Sequence, residues 1–240
     1  MIFFGASFIY FLKGMIEMNQ MERAFIEGAT AGNVNVVRSA LNEGCDLEAR
    51  NEDGKTALMT AAKRGRLQVV RMLLDAGADV NGRDNEGDTA IMGACKKGHD
   101  EVVQMLIEAG ADVNALDCEN RNGLMRASHN GFEDVVRTLI SNGADINVQD
   151  YKGRSALMEA CSCGNLAVID VLLSRGADVN LQDQMGTTAL MRAAYAGFDE
   201  LVEILLNNGA DPSIIDQSGK KAYDYYVVRN SNQQLIDKLA

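Results

Sequence analysis

Apolar and small residues follow a fixed pattern along this chain, spelled out most fully from Asn51 to Arg83: N-E-D-G-K-T-A-L-M-T-A-A-K-R-G-R-L-Q-V-V-R-M-L-L-D-A-G-A-D-V-N-G-R. The pattern restarts at Asp84, Asp117, Asp150 and Asp183, each time after 33 residues. A partial copy begins at Asp216, and a degenerate one fits from about Met18. A constant period of this length marks stacked helical units, each too small to bury its apolar face alone. Within a copy, the run Ala-Leu-Met-x-Ala-Ala predicts a short first helix. Leu67, Val70, Leu73 and Leu74 recur at helical spacing and predict a second.

The polar and glycine positions predict where these helices start and stop. The sixth residue of each full copy is Thr56, Thr89, Asn122, Ser155 or Thr188, all types that cap a helix by accepting from an otherwise unbonded N–H. Gly65, Gly98, Gly131, Gly164 and Gly197 fall at the end of the first helix. Gly77, Gly110, Gly143, Gly176 and Gly209 fall at the end of the second, where a left-handed residue is again wanted. Between copies, Asp-x-x-Gly predicts a tight turn. Asn120 stands where the other full copies have Gly54, Gly87, Gly153 and Gly186. Asn is the next residue type to tolerate positive φ, so the exchange points to a backbone requirement. The small pair Ala61-Ala62 recurs as Ala94-Cys95, Ala127-Ser128, Ala160-Cys161 and Ala193-Ala194, which lets neighbouring units approach closely.

The terminal copies depart from the pattern, as end units can. Phe25, Gly28 and Ala29 match the first helix, and Val36, Val37 and Leu41 the second. At the other end Tyr225-Tyr226 replaces the small pair. With no following neighbour expected, bulk should cost little there. Residues 216–240 read as a C-terminal cap, with Leu235, Ile236 and Leu239 covering the end. The division expected is a 1–17 extension and a repeat domain over 18–240, cut at 18–50, 51–83, 84–116, 117–149, 150–182, 183–215 and 216–240.

Composition narrows the function. The chain has 240 residues, 47% of them hydrophobic and 24% charged, which suits a folded soluble protein. A net charge of −11 argues against a nucleic-acid backbone as main partner. Five cysteines without paired spacing argue against a disulfide framework and favour a reducing compartment. The expected location is therefore cytoplasmic. Residues 1–12, M-I-F-F-G-A-S-F-I-Y-F-L, are apolar up to Lys13 but short for a bilayer span. No Lys or Arg precedes them and no clear A-x-A site follows. Two readings stay open: export or membrane anchoring, or an upstream start or tail lying on the first repeat.

Over residues 18–240 the chain resembles an ankyrin-repeat protein. The resemblance rests on D-x-x-G-x-T-A-L-M-x-A-A-x-x-G-x-x-x-V-V-x-x-L-L-x-x-G-A-D-V-N in repeated copies. It implies an all-α fold, an ankyrin-repeat solenoid of helix-turn-helix units with short β-turn or hairpin-like tips. The family's T-P-L-H tetrapeptide is altered here. Ala fills the Pro place, and Met59, Met92, Met125, Met158 and Met191 fill the His place. A hydrogen-bonding ring is thus exchanged for flexible apolar packing, and the methionine stripe reads as core filling.

The resemblance further implies a non-catalytic module that meets a protein partner at the turn tips and the exposed, concave side of the first helices. The non-structural positions mapped to that side are basic in the N-terminal half: Arg50, Lys63, Arg64, Arg83, Lys96 and Lys97. Beyond them they are apolar or aromatic: Leu116, His129, Tyr151, Met185, Tyr195 and Ile215. The expected partner is a protein, with an acidic segment suited to the basic cluster, bound by a monomer. His129, Cys118 and Cys163 are the one set that could converge on a metal, but no complete ligand spacing is present. No catalytic, cofactor or metal site is assigned: the chain carries no P-loop, G-x-S-x-G or Rossmann fingerprint.

Overall fold

The computed structural model describes residues 20–228 and 232–240; the apolar run 1–12 and the extension 1–17 lie outside them. The described residues form fourteen helices and no strand. They are α1 (Gln20–Ala31), α2 (Val34–Asn42), α3 (Ala57–Lys63), α4 (Leu67–Asp75), α5 (Ala90–Cys95), α6 (Asp100–Glu108) and α7 (Gly123–Asn130). There follow α8 (Glu133–Ser141), α9 (Ala156–Cys163), α10 (Leu166–Ser174), α11 (Ala189–Ala196), α12 (Asp199–Asn207), α13 (Ala222–Tyr226) and α14 (Gln233–Leu239). None is long and apolar enough to cross a membrane.

The helices fall into two compact units. One runs through Ala94 and takes in Glu101–Asp112; the other comprises Cys95–Asp100 and Val113–Ala240. In the first, α1 packs on α2 and α3, and α4 packs on α2 and α3. In the second, the first helices α7, α9, α11 and α13 pack in series, while α8 packs on α10 and α12 on α14. Within each unit, the hairpins named here rest on their sequence neighbours, as the period implies.

The local signals produce these elements by the expected chemistry. Thr56, Asn122, Ser155 and Thr188 accept from the backbone N–H three residues on, at 3.4, 2.9, 3.3 and 3.3 Å. Thr89 departs from the expectation: its buried hydroxyl has no hydrogen-bond partner. The helix-ending glycines all have positive φ, and Asn120, at φ 58°, is the one non-glycine among the described residues that does. At Gly98 and Gly131 the missing side chain also makes room. A Cβ there would lie 2.6 Å from the Phe132 ring and 2.9 Å from Asn165 Oδ1, side chains of the following repeat.

The methionine stripe is buried throughout, as are the small pairs. One exchange is compensated. Cys95 stands where Ala62 does, and the facing Gly123 stands where the other copies have Ala; a Cβ at Gly123 would lie 2.9 Å from Cys95 Sγ. The second-helix core is Val69, Val70 and Leu73, whereas Leu67 and Leu74 are half-buried. Tyr226 corrects the expectation for the last copy. It is fully buried, and its hydroxyl donates to Asp199 Oδ1 at 2.5 Å. Its bulk fills the end of the second unit, together with the buried Leu235 and Leu239, while Ile236 is half-buried.

Turn tips are joined from one repeat to the next. Asn81 Nδ2 donates to the Gly110 carbonyl at 3.0 Å while its Oδ1 accepts from the Asp112 amide at 2.9 Å. Asn114 and Asn180 do the same toward Gly143 and Asp145, and toward Gly209 and Asp211. The Asn of Ala-Asp-Val-Asn is thus a bridge between repeats, satisfying backbone groups that helix ends leave open.

Candidate functional site

In the first unit, Arg50 and Arg83 are exposed, yet both grip backbone. Arg50 Nη1 donates to the Gly54 carbonyl at 2.8 Å and to the Arg83 carbonyl; Arg83 Nη1 donates to the Gly87 carbonyl at 3.2 Å. In the second unit Gln149 and Gln182 occupy the same register position and bond in the same way. Arg50 and Arg83 therefore fasten the tips besides carrying charge. Lys63 is half-buried, its stem passing 3.2 Å from where a Gly93 Cβ would stand, and Arg64 is exposed at the end of α3. Lys96 and Lys97, in the second unit, are exposed.

The apolar candidates belong to the second unit. Tyr151, Met185, Tyr195 and Ile215 are 45, 59, 55 and 55% exposed, and Leu116 is half-buried. Tyr151 and Met185 sit on a row of tips joined by backbone bonds: Tyr151 N–H to Glu119, Gln184 N–H to Lys152, and Gln217 N–H to Met185, at 2.8–3.0 Å. Lys152 Nζ lies 5.3 Å from the Tyr151 ring centre, within cation–π range. Tyr195 meets Tyr225 edge to face at 6.2 Å. Phe198 and Val228 are exposed as well, and the register reading passed over them.

The sequence reading also missed a set of charged residues at the tenth register position. Arg126 and Arg192 reach back to the first residue of their own repeats, meeting Asp117 Oδ2 at 2.5 Å and Asp183 Oδ2 at 2.7 Å. Glu159 holds that position in the next repeat and is buried. There Arg154 serves Asp150 at 2.6 Å and Glu159 at 3.0 Å. Partial burial works against the Arg154 charge, but Asp150 and Glu159 outweigh it and hold its pKa above the usual value. In the last copy Tyr225 replaces the arginine and donates to Asp216 Oδ2. The available signal was a charged residue inside a helix otherwise made of small and apolar ones.

His129 and Cys163 do come together, with Cys163 Sγ and Glu159 Oε2 lying 3.6 and 2.8 Å from His129 Nδ1. Thiol and carboxylate meet the same ring nitrogen, so the imidazole cannot relay a proton between them through its two nitrogens. Desolvation, with Glu159 adding to it, pushes the Cys163 thiol up, away from the thiolate a nucleophile needs. Cys118 is an exposed thiol on its own tip. Among the described residues no three His, Cys, Asp or Glu side chains are grouped to hold a metal ion.

Comparison with known proteins agrees with this architecture. The crystal structure of the ankyrin repeat domain of Bcl-3, a member of the IκB protein family, superposes with a TM-score of 0.78. It is 29% identical over 90% of this chain and 97% of that one. No curated sequence matches. Ankyrin repeats are in general protein–protein interaction modules without catalysis. The family model for ankyrin repeats matches residues 25–117 and 124–216, most of the described chain, and by that match this protein belongs to the ankyrin-repeat family.

Proposed function

We propose that this protein is a non-catalytic adaptor that binds another protein through its turn tips and the outward side of its first helices, the concave side in this family. The observation that carries the reading is the apolar row of the second unit. Tyr151, Met185, Tyr195 and Ile215 stay exposed, while the methionine stripe and second-helix residues such as Val136, Leu139 and Leu172 are packed away. Exposed aromatics on a backbone held by tip-to-tip hydrogen bonds lose little entropy on binding, which suits contact residues. The basic residues Lys63, Arg64, Lys96 and Lys97 add attraction for an acidic segment of the partner, against an overall charge of −11. The reading takes the protein to be a monomer with no nucleic-acid partner.

The test is co-purification and mass spectrometry to identify the partner, then affinities of variants. Tyr195→Ala with Met185→Ala, and Lys63→Glu with Lys97→Glu, should each weaken binding about tenfold or more, with helix content unchanged. Wild-type affinity in both pairs removes this surface from the account. The same reading places the protein in the cytoplasm, in keeping with its unpaired thiols. Recovery of the full chain in a membrane fraction or in the medium would give residues 1–12 an anchoring or export role instead.

A further inference from the structure

In the first unit the second helices α2 and α4 leave a groove of about 570 Å³ between them. That size lies within the range of ligand-binding clefts. Val34 and Leu67, the first residues of the two helices, line it at one end. Leu41 and Met72 line it toward the other. All four are half-buried, so each leaves apolar surface uncovered in the groove. Covering such surface contributes to binding by the hydrophobic effect.

Between these apolar ends stand Arg38 and Arg71, at the same register position of adjacent repeats. Both are exposed, and among the described residues neither side chain has a hydrogen-bond or ion-pair partner. Later repeats use this position differently: Gln104 donates to Glu108 at 2.9 Å, Arg137 holds Glu133 at 2.7 Å, and Glu203 holds Lys238 at 3.2 Å. Packed helices lie about 8–10 Å apart, so the two guanidinia are within reach of one short segment. Asp75, the acidic residue of the lining, follows Arg71 by one turn without pairing with it. It disfavours a third carboxylate at that end. The groove is thus locally positive in a chain whose net charge is −11.

We propose that this groove binds a short segment of a protein partner in which apolar side chains flank a pair of carboxylates. The carboxylates meet Arg38 and Arg71, whose planar guanidinia suit bidentate pairing. The apolar side chains settle beside Val34 and Leu67 on one side and beside Leu41 and Met72 on the other. Charge complementarity selects the acidic pair, and the uncovered apolar ends select its flanks. The site is built from second helices, not from the tips and first helices of the adaptor surface. It therefore adds a second contact region and does not depend on the first.

The test uses the full-length protein. Random peptides displayed on phage are depleted on the Arg38→Glu, Arg71→Glu double variant and then selected on wild type. The enriched peptides are synthesised and titrated by calorimetry. Arg137→Glu with Arg175→Glu, both exposed in the second unit, is the charge-matched control. The selection should return paired Asp or Glu flanked by apolar residues. Binding should fall about tenfold or more in the groove variant and about twofold at most in the control, with helix content unchanged in both. Met72→Gln should weaken binding as well. The proposal is overturned if no such peptide is enriched, or if both double variants lose affinity equally, which would reduce the effect to net charge. It is also overturned if the free protein shows nuclear Overhauser contacts from residues 1–12 to Leu41 or Met72, which would give the groove to the chain's own N-terminal segment. A dimer that sediments in wild type and is lost in the groove variant would give it to a second copy, with the same consequence. Each of these leaves the adaptor reading intact, and failure of the tip and first-helix variants described above leaves the groove result standing.

Discussion

Asn180 offers a direct test of how adjacent repeats hold one another. Its Nδ2 donates to the Gly209 carbonyl at 3.1 Å, and its Oδ1 accepts from the Asp211 amide at 2.8 Å. Both bonds cross from one repeat to the next, and Asn180→Ala removes both. A net hydrogen bond contributes about 0.5–1.5 kcal/mol, so two of them contribute about 1–3. The site is half-exposed, and water can replace part of the loss, which places the expected cost near 1–2 kcal/mol. Urea unfolding followed by circular dichroism measures it as a lower midpoint at constant slope. Hydrogen exchange localises it: the Asp211 amide should exchange several-fold to about thirtyfold faster, at tenfold per 1.4 kcal/mol. Asn180→Asp keeps the acceptor and loses the donor, so it should fall between wild type and alanine. An unchanged midpoint together with unchanged protection at Asp211 would show that the side chain bridges the repeats without stabilising them.

Two further outcomes follow from burial and ionisation. Leu139→Ala removes about three carbons from a fully buried side chain and should cost about 2–5 kcal/mol by urea unfolding; a loss under 1 would contradict the packing described. The hydrogen bond to Asp216 pushes the Tyr225 hydroxyl up to about 12 and holds the Asp216 carboxyl below its usual range. The tyrosine contribution is complete below pH about 10, where the unfolded residue ionises, and disappears as pH rises toward 12. The aspartate contribution is complete above pH about 3.9 and disappears as pH falls through the depressed value. Tyr225→Phe should flatten both limbs of the stability–pH curve relative to wild type; identical curves would remove the pair from the account.

The backbone demands of the fold were readable because they admit few residue types. Asn120 at a glycine place announced a positive φ, and Thr56, Asn122, Ser155 and Thr188 announced helix starts. The register fixed which residues are buried for the same reason: a repeating neighbour imposes a repeating environment. What the register hid was the use of positions whose residues change. Thr60, Gly93, Arg126, Glu159, Arg192 and Tyr225 share one position, and only coordinates show that several of them serve the aspartate nine residues earlier. Tyr226 was misread because bulk at an end looks tolerated, when the cap helix α14 in fact covers it. Arg50 looked like free surface charge because nothing local reveals a hydrogen bond to a carbonyl 33 residues away.

The central claim is that each repeat is a module held by its immediate neighbours. Deleting Asp150–Gln182 in register joins Gln149 to Asp183 and restores the spacing of the pattern. Circular dichroism and urea unfolding of the shortened protein should show the same helicity per residue and a sharp transition at a lower midpoint. An aggregated or helix-free product would contradict the claim.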